Sequence, residues 1–132
     1  MAQSDVRDGY EYTKDHEWLR KQGEVSRVGV TAFAVEQLGD ITLVNIDVKV
    51  GDKITAGKTF GTVESVKTLS DLFAPVSGVI TAINGELENN PELVNEDPYD
   101  KAWMIEVRAD AGTHGETMDA AAYRTFVTTA GH

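Results

Sequence analysis

The chain has 132 residues, no cysteine and a formal net charge of -10 from 22 acidic and 12 basic side chains. Its length suits a single core, and the missing cysteine excludes disulfides and thiol catalysis. An acidic surface repels phosphate backbones and anionic lipid headgroups, which argues against nucleic-acid and membrane partners, and no apolar run approaches the ~20 residues that span a bilayer. From Gly23 to Pro98, Gly, Pro and Asn fall at short intervals between runs rich in Val, Ile and Thr. That punctuation is the pattern of a mostly β protein, a sandwich or flattened barrel. The predicted strands are His16 to Arg20, Ser26 to Val30, Asp40 to Val48, Thr59 to Ser65, Thr68 to Phe73, Gly78 to Ile83 and Trp103 to Arg108. A short helix interrupts them over Ala32 to Leu38, with Thr31 as N-cap and Gly39 as the glycine that ends it. Pro91 to Val94 predicts one helical turn after Asn89-Asn90. Asp110 to Glu116, with two glycines and mixed charges, predicts a mobile loop leading to a last helix over Met118 to Thr128. In that helix Met118, Ala122, Tyr123, Phe126 and Val127 recur at helical spacing as one apolar stripe. Gly131 and His132 are expected to fray. The whole, residues 1–132, reads as one domain with its core at about 10–127.

The most informative stretch is Gly61 to Leu69, two strands joined at a tight reversal that carries Val66 and Lys67. Two-residue hairpin bends favour Asn-Gly, Asp-Gly or Gly-X, because one or both central residues need positive φ. A β-branched valine and a lysine break that rule, and a broken local rule in a well-patterned sequence marks function. A hairpin tip lifts the ε-amine clear of both sheet faces while the paired strands hold its backbone. Acylation there removes the ammonium charge and lengthens the stem into an uncharged tether, which holds its cargo at high local concentration near a docked enzyme. The plain alternative is a solvated surface lysine.

Around that lysine the residues resemble a known family. Glu64-Ser65-Val66-Lys67 looks like the lipoylation motif of the glycine cleavage H-protein family. Further blocks agree in order: His16-Glu17-Trp18, Val28-Gly29-Val30-Thr31, Leu38-Gly39-Asp40, Ala74-Pro75-Val76-Ser77-Gly78, Pro91-Glu92-Leu93-Val94-Asn95, Asp97-Pro98-Tyr99 and Trp103-Met104. The likeness runs from about Tyr10 to Phe126. It implies lipoic acid in amide linkage on Lys67 of a carrier that is not itself an enzyme. That carrier would take an aminomethyl group from glycine decarboxylase, a pyridoxal phosphate enzyme, to the tetrahydrofolate-dependent aminomethyltransferase. It would then present dihydrolipoyl to dihydrolipoamide dehydrogenase, and a lipoyl ligase or transferase would load it. The resemblance also implies that the loaded arm folds onto a cleft carrying Glu17 and Asp71, and that Glu64 and Ser65 serve recognition by the ligase. Gln37 replaces a histidine common in the family, and Asp15 replaces a small hydroxyl residue.

Other readings stand beside it. A biotinyl domain would flank the lysine with methionines where Val66 and Thr68 stand here, and the lipoyl domain of a 2-oxoacid dehydrogenase favours Asp before the lysine. A stand-alone β-sandwich could bind partners through its acidic face with Lys67 unmodified. A hydrolase lacks any nucleophile–base set, since Ser65 and Ser70 have none around them. His16, His114 and His132 are too scattered to predict a metal site, and no phosphate-binding loop appears. Trp18 and Trp103 read as core residues. Pro75 and Gly78 read as the two ends of a turn. Gly51-Asp52-Lys53-Ile54 and Gly78-Val79-Ile80 open similar strand–turn–strand units that could pack face to face. Met1 to Gly9, with Asp5 and Asp8 and no apolar stretch, resembles neither a secretory nor a transit leader. The expectation is therefore a bacterial cytoplasmic protein, or a mitochondrial matrix one if processed from a eukaryotic precursor.

Overall fold

The computed structural model describes residues 6–114 and 117–130, with side chains for all of these except 111–114, 129 and 130. In chain order the elements are β1 (Glu11–Tyr12), β2 (Glu17–Gln22), β3 (Val25–Val30), α1 (Ala32–Leu38), β4 (Ile41–Ile46), β5 (Lys53–Ile54), β6 (Thr59–Ser65), β7 (Leu69–Phe73), β8 (Val76–Ile83), α2 (Glu86–Asn89), α3 (Leu93–Glu96), β9 (Ile105–His114) and α4 (Ala120–Ala130). The strands form two sheets with open edges. One has six strands in the order β1-β2-β3-β9-β8-β5, and the other three in the order β4-β6-β7.

Alternation along the strands explains why the sheets face each other. Leu19 and Val28 from the larger sheet and Val44, Phe60, Val63 and Leu72 from the smaller one share a buried cluster with Ile80, Ile105 and Val107. Such residues fall at alternate positions, as Ile105 and Val107 do, except where a bulge at Thr59/Gly61 sets Phe60 and Val63 three apart. They cover one face of each sheet, and burying both faces against each other is what stabilises the sandwich. Trp18 points the other way. It joins Tyr10, Tyr12, Phe33, Tyr99, Tyr123 and Val127 in a second cluster, and its indole donates to the Pro98 carbonyl at 3.0 Å. Trp18 is therefore a core residue, as expected, and Trp103 packs half-buried at the margin of the same cluster.

Helix α1 forms as its caps predict. The Thr31 hydroxyl accepts from the Ala34 amide at 3.1 Å, and Gly39 (φ 85°) donates its amide to Val35. Helix α4 spans 120–130, two residues later than expected, because the Asp119 carboxylate caps it by accepting from the Ala122 amide at 2.8 Å. Its buried stripe is Ala120, Tyr123 and Val127 with Phe126 partly covered, and Ala122 is exposed. The helical turn predicted over Pro91 to Val94 appears slightly later as α3. The short strands β1 and β5 and the one-turn α2 carry too few residues to show in the sequence pattern.

Three expectations need correction. The loop predicted from Asp110 is strand as far as His114, because β8 pairs with it across Gly78↔Ala109 and Val76↔His114. Pairing at its two ends, with a shifted register between them, keeps this polar, glycine-containing segment in the strand. Residues 115–116 and 131–132 lie outside the described residues. Gly78 lies inside β8 and ends no turn; a Cβ there would be driven into the Arg108 carbonyl oxygen of β9. His16 precedes β2 instead of opening it, at φ 67°. The tight turn from Thr13 demands this, since the His16 amide donates to the Thr13 carbonyl and the Thr13 amide to the Glu17 carbonyl, both at 3.0 Å. The similar segments at 51–54 and 78–80 are direct partners: β5 pairs with β8 through Lys53↔Val79 and Ile54↔Gly78.

Candidate functional site

Strands β6 and β7 meet at a bend that contains Lys67. The Ser65 amide donates to the Thr68 carbonyl at 2.8 Å, so Val66 and Lys67 occupy a two-residue tip. The expected positive φ is absent: among the described residues only His16 and glycines adopt it. The Ser65 hydroxyl oxygen solves the problem instead, accepting from the Lys67 amide at 3.2 Å and the Thr68 amide at 3.1 Å. A serine that turns the chain through its own side chain leaves the tip positions open to residues that ordinary hairpins reject. The tip is also anchored to the rest of the molecule, since the Val66 amide donates to the Asp40 carbonyl at 3.0 Å.

Lys67 is exposed. Its stem crosses Gly39, where an added Cβ would stand 3.0 Å from Lys67 Cε. Gly39 follows directly on Gln37 and Leu38, and these form one wall of a cleft of about 100 Å³. Ser70 and Asp71, three and four residues after Lys67, form another wall, while Val30, Ala34, Val63 and Leu72 supply its apolar lining. Glu17, His16 and Asp15 close the cleft. The structure thus brings Glu17 and Asp71 together with Gln37 and Asp15 beside the lysine, while Glu64 and Ser65 stay on the hairpin.

The two carboxylates differ. Asp71 is exposed on the rim. Glu17 is 1% exposed, so it is no solvated surface charge. Its Oε1 accepts from the Thr13 hydroxyl at 2.9 Å and its Oε2 from the Phe73 amide at 3.3 Å. Burial disfavours its charged form and pushes its pKa up to about 8, against the opposing pull of those two hydrogen bonds. A second cavity of about 230 Å³, lined by Thr13, Lys14, Ala56, Phe73 and Pro75, also touches Glu17. Thr13, the partner that orients this carboxyl, escaped the sequence reading; its one local signal is its place four residues before Glu17.

His16 is held by aromatic neighbours. Its Nδ1 lies 2.7 Å from the Tyr123 hydroxyl, which lies 2.8 Å from Thr31 Oγ1. Burial lowers the His16 pKa and so favours the neutral ring. Through this chain the last helix is tied to the cap of α1, the helix that walls the cleft. Among the described residues no three His, Asp or Glu side chains gather as a metal site, and no helix is long and apolar enough to cross a membrane.

Residues 10–130 match the family model described as glycine cleavage H-protein. The chain belongs to the glycine cleavage H-protein family. It is 51% identical over 117 residues to a glycine cleavage system H protein of Bacteroides thetaiotaomicron, covering 88% of this chain and 92% of that one. It is 46% identical over 125 residues to one from Halalkalibacterium halodurans, covering 94% and 97%. A crystal structure of a glycine cleavage system H protein from Mycobacterium marinum superposes with a TM-score of 0.85 at 35% identity, across 96% of this chain and 100% of that one. The likeness to that solved structure agrees with the two-sheet sandwich.

Proposed function

We propose that this H-protein family member is the lipoyl-bearing shuttle of the glycine cleavage system, a carrier acting as one domain with its core at residues 10–127. Lys67 is the attachment point. The observation that carries the reading is an exposed lysine, on a hairpin turned by Ser65, standing next to a cleft closed by a buried carboxyl. Those residues fit a lipoyl arm: the amine is accessible, and a cleft of about 100 Å³ admits the head of a slender chain, smaller than the pockets that enclose whole ligands. Bound there, the lipoyl group would supply a disulfide that accepts an aminomethyl group and is later reoxidised.

The chain's own residues supply position and shielding. Ser65 and the Asp40 carbonyl hold the tip, so the tether swings from a fixed base. Val30, Ala34, Leu38, Val63 and Leu72 give the cleft apolar walls that exclude water. Glu17 prefers its neutral form by burial, and a cationic amine brought against it reverses that preference and is held by a charge-assisted hydrogen bond. Asp71 adds a second negative charge at the rim, and Asp15 a third. Gln37 offers an amide where a histidine is common in the family, so this wall carries no titrating group. Glu64 and Ser65 serve the ligase that loads the lysine. The partners are glycine decarboxylase, the aminomethyltransferase, dihydrolipoamide dehydrogenase and the lipoyl ligase or transferase, acting in the cytoplasm of a bacterium.

The test is intact mass after incubation with a lipoate ligase, lipoic acid and ATP. The wild-type chain gains one lipoyl increment, and Lys67→Arg gains none while melting as the wild type does, since an exposed side chain contributes a few tenths of a kcal/mol. With the partner enzymes added, Lys67→Arg supports no glycine decarboxylation. No increment on the wild type, or a biotin increment with a biotin ligase, overturns the reading.

A further inference from the structure

Leu43, Val50, Val66 and Leu69 are the large apolar side chains that stand exposed among the described residues. Three of the four lie at the Lys67 end of the small sheet. Leu43 and Leu69 pair with Glu64 from its two sides, across β4–β6 and β6–β7. Directly paired residues project to one face, so a leucine–carboxylate–leucine row crosses the outer face of the sheet at the hairpin. The next outward row, Asn45, Thr62 and Asp71, is polar. The apolar area is thus confined to the tip, with Leu43 44%, Leu69 58% and Val66 68% exposed. Glu64 takes part in none of the ion pairs found among the described residues.

We propose that Leu43, Glu64 and Leu69, with Val66, form the docking surface for the enzyme that acylates Lys67. This rests on the reading of Lys67 as the lipoyl attachment point. Reach selects the loading enzyme over the others. Before modification the amine extends only the length of a four-carbon stem, so the loading enzyme has to bring its own surface onto the tip. Enzymes that act later meet a longer tether and need not cover this row. The chemistry of the partner follows from the row: an apolar seat for two leucines, with a cation opposite Glu64. A net charge of -10 on this chain favours the same basic face. The leucines supply the desolvated contact area, and the carboxylate fixes register. Once the surfaces meet, the Lys67 nitrogen displaces AMP from the activated lipoyl carboxyl. One C–N bond forms as the acyl C–O bond breaks, and the protons lost from the amine pass to water.

The experiment is steady-state lipoylation of the full chain by a lipoate ligase with lipoic acid and ATP, varying the chain as acceptor. Leu43→Ser combined with Leu69→Ser is expected to raise KM for the chain by about tenfold, leaving kcat within about twofold. At saturating ligase the variant still reaches one full lipoyl increment, which shows that it is folded and presents Lys67. Val50→Ser, an exposed apolar site outside the row, leaves both constants unchanged. Added salt raises KM for the wild type and has less effect on Glu64→Gln. The matching alanine pair is measured alongside and read in the same way should the serine pair unfold. A KM within about twofold of wild type in the folded pair, or an equal rise in Val50→Ser, overturns the docking row while leaving the attachment site standing. A wild-type chain that takes no lipoyl group removes the attachment site, and the row with it.

Discussion

Glu17→Gln isolates the effect of burying an ionisable group at the closed end of the cleft. An unfolded glutamate titrates near 4.5, whereas in the fold burial raises Glu17 to about 8. Because the folded value lies above the unfolded one, this group's contribution to stability is complete below pH 4.5 and is lost as pH rises to 8. In that window the unfolded chain has released a proton that the folded chain keeps. Each pH step of one costs the folded state about 1.4 kcal/mol, so the loss is roughly 3 kcal/mol at pH 7 and 4 to 5 kcal/mol at pH 8. Glutamine has the same shape and does not titrate. Its amide oxygen can accept from the Phe73 amide, and its NH₂ can donate to the Thr13 hydroxyl, which is able to reverse its role. Urea unfolding of both proteins from pH 4 to 9 gives the difference directly, and other titrating groups cancel in it. The variant is expected to gain on the wild type steadily between pH 4.5 and 8 and then run parallel. A difference that stays constant within about 1 kcal/mol over that range refutes the claim that folding desolvates this carboxyl.

Three other substitutions probe the parts that support the site. Ser65→Ala removes the acceptor of two tip amides; the stability loss is about 0.5–1.5 kcal/mol, and the Lys67 and Thr68 amides should exchange faster with solvent by NMR. Gly61→Ala forces a methyl into the Asn45 carbonyl on β4, lowering the urea midpoint by the equivalent of about 1–3 kcal/mol; a neutral result would mean the two strands are freer to separate than their pairing suggests. Tyr123→Phe strips partners from His16 Nδ1 and Thr31 Oγ1, costing about 1–3 kcal/mol. The same variant should loosen α1, visible as faster amide exchange at Val35 and Gly39.

Much of this protein could be read from its residues in order. Alternating Val, Ile and Phe placed the strands, Thr31 and Gly39 bounded α1, and strand β6 ended at Ser65 as predicted, because these features depend on local period and capping alone. The exposed lysine was legible for the same reason: a tip between two strands is a local event. The means of turning was not. A sequence rule asks for positive φ, whereas here a serine hydroxyl and the Asp40 carbonyl, one of them from a distant loop, hold the bend. Residues 110–114 became strand because β8 lies beside them, and Gly78 proved to be a point of close approach to β9. Glu17 shows the division most sharply. Its residue type is that of a solvated acid, and only the meeting of β2, α1 and β7 takes it out of water in the cleft that Asp71 also lines. Ionisation depends on solvent access, and solvent access is a property of the assembled fold, which no stretch of chain carries by itself.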